Sequence, residues 1–242
     1  YASGDKTSLE LPGRQMALLK AVLDTGKPVI LVLGTGSALT FGGEEERCAA
    51  VLNMWYPGAL GGKAVADVLF GKAQPAGKLP VTFYRTTEEL PDFTDYSMKN
   101  RTYRYMENEA LYPFGYGLTY QPFAASNLKV EQDGENVRVT LSVTNEGSEA
   151  ASQKVQVYVK DLESSLAVPY HSLAAFRAVH LNAGETQEVV LTVKRRSFEA
   201  VNEEGEWVLD SHRFRIYAGF SQPDARSVAL MGQAPLETEW TL

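Results

Sequence analysis

The chain has one cysteine, Cys48, among 242 residues, so it can form no internal disulfide. Long apolar runs are absent: none approaches the roughly 20 residues a membrane-spanning helix needs, and no membrane partner is expected. Basic residues are in the minority. Lys and Arg number 23 against 30 Asp and Glu, and the formal charge of −7 argues against nucleic acid or an anionic lipid surface as a partner. Only three histidines occur, and His171, His180 and His212 lack metal-ligand spacing, so they read as ordinary surface or edge residues. No Gly-x-Ser-x-Gly is present to support a serine-nucleophile hydrolase. Gly34-Thr-Gly36 follows an apolar run, but Leu39 stands where a dinucleotide fingerprint needs a third glycine, and no acidic residue follows near Met54. Nucleotide cofactors are therefore not expected. Neither an internal repeat nor a low-complexity tract occurs.

What remains is an ordinary globular composition, 44% hydrophobic and 22% charged, with room for two domains. In the first half apolar residues recur at helical spacing through Leu11, Leu18, Leu19, Val22 and Leu23, with Pro12 suited to a first turn and Gly26 to a stop. Val29–Leu33 is wholly apolar and reads as a strand covered on both faces. Ala49–Tyr56 reads as a second such strand, with Trp55 at its end read as core. Ala64, Val65, Val68 and Leu69 mark a helix closed by Gly71, and Leu79–Phe83 is a third candidate strand, with Pro80 at its start or at an edge. Alternation of this kind predicts an α/β half with a mainly parallel sheet, more of which lies upstream. The run Glu44–Arg47 reads as a solvated helix face, and Cys48 as buried packing.

Beyond residue 120 the period falls from 3.6 to 2. Val137, Val139, Leu141 and Val143 alternate with polar neighbours; so do Val155, Val157 and Val159, then Val189, Leu191 and Val193, then Phe214, Ile216 and Ala218. Asp133-Gly134, Asn145-Glu-Gly147, Asn182-Ala-Gly184 and Glu204-Gly205 supply turns between them. About seven short strands without a cysteine pair predict a fibronectin type III-like sandwich. Alternation points Tyr158 and Tyr217 outward, without an evident cluster.

Between the halves runs Asp95–Tyr105 (DYSMKNRTYRY), followed by Leu111–Tyr120 (LYPFGYGLTY). This aromatic, glycine-punctuated connector resembles the one joining the last two domains of glycoside hydrolase family 3, the retaining β-glucosidases and β-xylosidases. The likeness extends to Leu9-Glu-Leu-Pro-Gly-Arg-Gln15, to Gly26–Leu33, and to Trp55-Tyr-Pro-Gly-Ala-Leu-Gly-Gly62 with Ala66–Gly71. It also covers Pro75-Ala-Gly-Lys-Leu-Pro-Val-Thr-Phe83, where Gln74 departs from the family's Asn. The resemblance implies three parts: residues 1–94 as the C-terminal part of an α/β sandwich domain, 95–122 as connector, and 123–242 as a fibronectin type III-like domain. Tyr1 is not an initiator Met; a cleaved secretion signal or a cut inside a larger chain would both produce it, and the resemblance favours the cut. The compartment, cytoplasmic or periplasmic and secreted in a bacterium, stays open.

Retaining glycosidases work with two carboxyl groups roughly 5 Å apart. The resemblance implies that the nucleophilic Asp lies on a barrel domain these residues do not include. It places the acid/base Glu immediately before Tyr1, because the family's Gly-Asp-Arg-like element corresponds to Gly4-Asp5-Lys6; loss of that Glu by substitution at Ala2 is the alternative. This chain is then expected to be inactive alone. Tyr1, Ser3 and Asp5 would line the leaving-group subsites, although Asp5 equally suits a helix N-cap. Arg101, Tyr103, Arg104 and Tyr105 offer donors and stacking faces to a sugar, or else clamp the connector between the halves. The implied partners are β-glucoside or β-xyloside oligosaccharides and the barrel portion of the same enzyme, with a homodimer also compatible; no cofactor is implied. From a different class, a stand-alone carbohydrate-binding or scaffold module is the alternative.

Overall fold

The structure, a computed structural model, describes residues 6–242. In the first half α1 (Gln15–Leu23) precedes β1 (Ile30–Leu33), and β2 (Ala50–Asn53) precedes α2 (Gly61–Leu69). Glycines stop both helices as the sequence predicts, Gly26 at φ 71° and Gly71 at φ 72°, in the left-handed conformation that costs glycine little. Leu19 and Leu23 of α1 pack with Leu33, Phe41, Phe83 and Leu111 into one core, with Trp55 and Cys48 partly buried against it. The Glu44–Arg47 run forms a 3-10 turn, but it is not wholly solvated: Glu45 is buried.

β1 and β2 run parallel, Ile30 opposite Ala50 through Leu33 opposite Asn53. Beyond that pair, parallel pairing among the described residues is an isolated bridge between Glu10 and Thr40. The sheets of the described residues are mostly antiparallel, which corrects the expectation of a mainly parallel sheet. Leu79–Phe83 does not join β2. It lies antiparallel to the connector: Leu79 N–H donates to Tyr116 O at 2.8 Å, Gly115 N–H to Leu79 O at 2.7 Å and Phe83 N–H to Tyr112 O at 2.9 Å. Pro80 and Pro113 carry no N–H, so the ladder is interrupted and only the Phe83–Tyr112 bridge survives. The two-sided cover expected for Val29–Leu33 is also absent among the described residues, because Ile30 is 50% exposed and β1 pairs on one edge only.

A single helical turn, α3 (Thr102–Tyr105), interrupts the connector. The second half then supplies β3 (Phe123–Asp133), β4 (Asn136–Asn145), β5 (Ala151–Asp161), β6 (Ser172–Leu181) and β7 (Thr186–Val193). A two-residue pair follows, β8 (Ala200–Val201) with β9 (Trp207–Val208), and then β10 (Arg213–Gly219), α4 (Ala225–Met231) and β11 (Leu236–Thr241). One antiparallel sheet is ordered β3-β4-β7, the other β11-β10-β5-β6. These seven strands form the expected sandwich. Val137, Val139, Leu141 and Val143 of β4 meet Val155, Val157, Ile216 and Ala218 from the facing sheet, all of them essentially fully buried. Side chains of that size stabilise the fold by about 1.5–3 kcal/mol each when fully buried.

Candidate functional site

The site grows from a flaw in a strand pair. Along β5 and β6, Val157 faces Ala175 but Tyr158 faces Leu173, so Ala174 is an extra residue and the register shifts. A bulge frees backbone groups from the ladder and re-aims side chains. The Leu173 N–H then donates to the Tyr103 hydroxyl at 2.9 Å, which docks the connector on the sandwich. The Tyr103 ring stacks on Phe114 with centroids 4.4 Å apart, and it meets Tyr158 edge-on at 6.1 Å.

Tyr158 does leave the sandwich core, as alternation requires, but it is fully buried against Tyr103 of the connector and His171. Its hydroxyl donates to Gln156 Oε1 at 2.6 Å, and Gln156 Nε2 donates to Gly115 O at 3.0 Å and Phe220 O at 2.9 Å. Burial pushes the phenol pKa well above its usual value. Gly115 sits at φ +79°, and a Cβ there would lie 2.5 Å from both Gln156 Oε1 and the Tyr158 hydroxyl, so glycine is required.

His171 corrects the reading of the histidines as surface residues. It is buried, within ring contact of Tyr103, Tyr158 and Tyr217, and bonds Gln222 Oε1 at 2.6 Å. Burial lowers its pKa against the opposing pull of Gln222 and Asp224. Tyr217 is buried as well, so the two outward tyrosines belong to one cluster that alternation alone did not reveal. Gln156 and Gln222 also escaped sequence reading. The available signal was a Gln and a Tyr flanking Val157 on the outer face of a strand, a pattern that asks for a cover.

Of the residues singled out in the sequence, Tyr1, Ser3 and Asp5 lie outside the described residues, as does Ala2. Arg101 turns its guanidinium toward the preceding loop, donating to Asp92 O at 2.6 Å and Asp95 O at 3.1 Å. The loop holding it is unusual: Met98, Asn100 and Thr102 all have positive φ, 66°, 57° and 58°. For the β-branched Thr102 that conformation is strained. Arg104 lies over the Tyr103 ring at 5.8 Å, and Tyr105 is half-buried. The structure thus brings Arg101, Tyr103 and Arg104 onto one short turn.

Further bonds lock the halves together. Arg226 donates to Leu111 O at 3.3 Å, Gln222 to Phe114 O at 2.9 Å, and the Tyr120 hydroxyl to Val68 O at 2.8 Å. Lys78 donates to Gly117 O at 2.6 Å, and burial with the neighbouring charge of Lys154 pulls its pKa down to about 7. Among the described residues no group of three His, Cys, Asp or Glu is placed to hold a metal ion.

An α/β half locked through a glycine-tightened aromatic connector to a seven-strand sandwich defines the chain as a two-part protein, α/β followed by all-β. Residues 2–120 match the glycosyl hydrolase family 3 C-terminal domain, and residues 153–222 match the fibronectin type III-like domain. The chain belongs to glycoside hydrolase family 3 and holds its C-terminal portion. It is similar to a xylan 1,4-beta-xylosidase of Xylanibacter ruminicola, 46% identical over 82% of this chain and 23% of the relative. A periplasmic beta-glucosidase of Salmonella typhimurium is 31% identical over 90% of this chain and 31% of its own length. Among solved structures, a Bifidobacterium adolescentis beta-glucosidase superposes with a TM-score of 0.87 at 30% identity, over 100% of this chain and 37% of that one. The chain thus spans only 23% and 31% of these two curated relatives.

Proposed function

We propose that this chain is part of a retaining β-glycosidase that hydrolyses terminal, non-reducing β-D-glucosyl or β-D-xylosyl residues. Residues 1–94 would complete the α/β domain and one wall of the pocket, 95–122 would set its angle, and 123–242 would brace the barrel. Tyr1, Ser3 and Asp5 would line the leaving-group subsites. Arg101 and Tyr103 would reach the sugar through the strained turn that they hold in place. The partners are then β-glucoside or β-xyloside oligosaccharides, the barrel portion of the enzyme and, in a dimer, a second copy of it.

The observation that carries this reading is the unfinished α/β half. Among the described residues β1 pairs only with β2, while Leu18, Val22 and Ile30 beside it are 65%, 41% and 50% exposed. Apolar surface next to an unpaired strand edge calls for more polypeptide. The names of the relatives, a beta-xylosidase and a beta-glucosidase, supply the chemistry. The test is hydrolysis of aryl β-glucosides and β-xylosides by the 242-residue chain and by the whole polypeptide that carries it. Turnover by the whole polypeptide and none by the chain alone supports the reading; an inert whole polypeptide refutes it.

A further inference from the structure

A cleft of about 330 Å³ opens on the sandwich where β5, β10 and β11 approach the segment leading into α4. Its walls include Lys160, Tyr170, His171, Tyr217, Asp224 and Glu237. Small-ligand sites occupy about 300–1,000 Å³, so the space suits one sugar ring and part of its neighbour.

The polar groups here are oriented by what lies behind them. Gln222 donates its Nε2 to Phe114 O, which turns Oε1 toward His171. An amide oxygen can only accept, so His171 must carry its proton on Nε2. Burial keeps the ring neutral, which leaves Nδ1 as a lone-pair acceptor without a hydrogen-bond partner among the described residues. Asp224 lines the wall with its carboxylate turned inward: Oδ1 accepts from Ser227 N–H at 2.9 Å, while Oδ2 is closed off from solvent and has no hydrogen-bond partner among the described residues. Lys160 and Glu237 form no ion pair among the described residues, and Tyr170 is half-buried with no ring contact there.

A ligand for this cleft must offer several O–H donors, take one hydrogen bond from an ammonium, and lay an apolar face on an aromatic ring. Two carboxylates against one lysine disfavour an anion such as a phosphate. A pyranose meets all three demands. We propose that the cleft binds a pyranose unit of a β-linked gluco- or xylo-oligosaccharide, with Tyr170 as the stacking face and His171 Nδ1 and the exposed Glu237 carboxylate accepting its hydroxyl hydrogens. The choice of oligosaccharide rests on the glycosidase reading; the polyhydroxylated ring rests on the cleft alone.

Calorimetric titration of the 242-residue chain with cellotriose and with xylotriose tests this. Binding of one of them with Kd on the order of 1 mM is expected. Tyr170→Ala should weaken it about tenfold, and Glu237→Ala, at an exposed position that leaves folding intact, about threefold. No binding of either sugar overturns the proposal, and so does binding that neither substitution changes. Aryl-glycoside hydrolysis by the whole polypeptide, measured in parallel, separates the two claims. Hydrolysis without binding by the chain removes the cleft alone, whereas binding with an inert whole polypeptide removes the glycosidase reading and leaves the cleft.

Discussion

Tyr103 lies flat on Phe114, ring centroids 4.4 Å apart and planes within 7° of parallel, while its hydroxyl accepts the Leu173 N–H. One residue of the connector thereby reads both the connector's own later turn and the bulged edge of the sandwich. Tyr103→Phe keeps the stack but strands a backbone donor, which should cost about 1–2 kcal/mol. Tyr103→Ala also removes the stack and should cost about 3 kcal/mol. Urea unfolding of the two variants checks the order; equal losses would show that the hydroxyl, not the ring, holds the connector.

Gly115 has the tightest requirement. Gly115→Ala introduces a Cβ into the Gln156–Tyr158 hydrogen bond and forces a left-handed conformation on alanine. A loss of about 2–4 kcal/mol is expected. Gly134→Ala is the control, at φ +62° but with open space around it, and should cost only about 1 kcal/mol. Thermal unfolding of both variants distinguishes crowding from backbone strain.

Lys78 should leave a mark on the alkaline side. Its folded pKa, about 7, lies below the ordinary lysine value of 10.5, so between those limits the unfolded chain binds more protons than the folded one. Stability contributed by this group therefore rises with pH from about 7 to about 10 and is at its lowest below 7. Lys78→Met should flatten that rise in a series of unfolding midpoints. An unchanged slope would mean that the ammonium stays charged in the fold.

His171 should act on the acid side. Its lowered pKa means that the unfolded chain takes up a proton below about 6.5 while the folded chain resists it. Unfolding midpoints should fall as pH drops through that range, and His171→Gln should remove part of the fall. Burial is the main cause of the lowering, Gln222 and Asp224 oppose it, and Lys160 adds to it.

The sandwich was legible because β4, β5, β7 and β10 each turn one apolar face into the shared core, which writes period 2 into the sequence even where the other face is covered too. The stops at Gly26 and Gly71 were legible for a similarly local reason, the cost of positive φ. Leu79–Phe83 misled because an apolar run says that a segment is buried, not what lies beside it; its partner is the connector some thirty residues on. His171 and Tyr158 were hidden by the same limit. Their positions point away from the sandwich core, and nothing local records that the connector returns to cover them. Of the candidate site residues, Arg101 and Tyr103 could be singled out by their place in an aromatic, basic turn. What Tyr103 touches depends on a bulge at Ala174 that leaves no signature in composition.

The central claim is that this chain serves a retaining β-glycosidase. Proton NMR of the first sugar released by the whole polypeptide from an aryl β-glucoside or β-xyloside, read before mutarotation, tests it most directly. The β-anomer appearing first is the predicted result. The α-anomer appearing first, or no released sugar from either substrate, would contradict it.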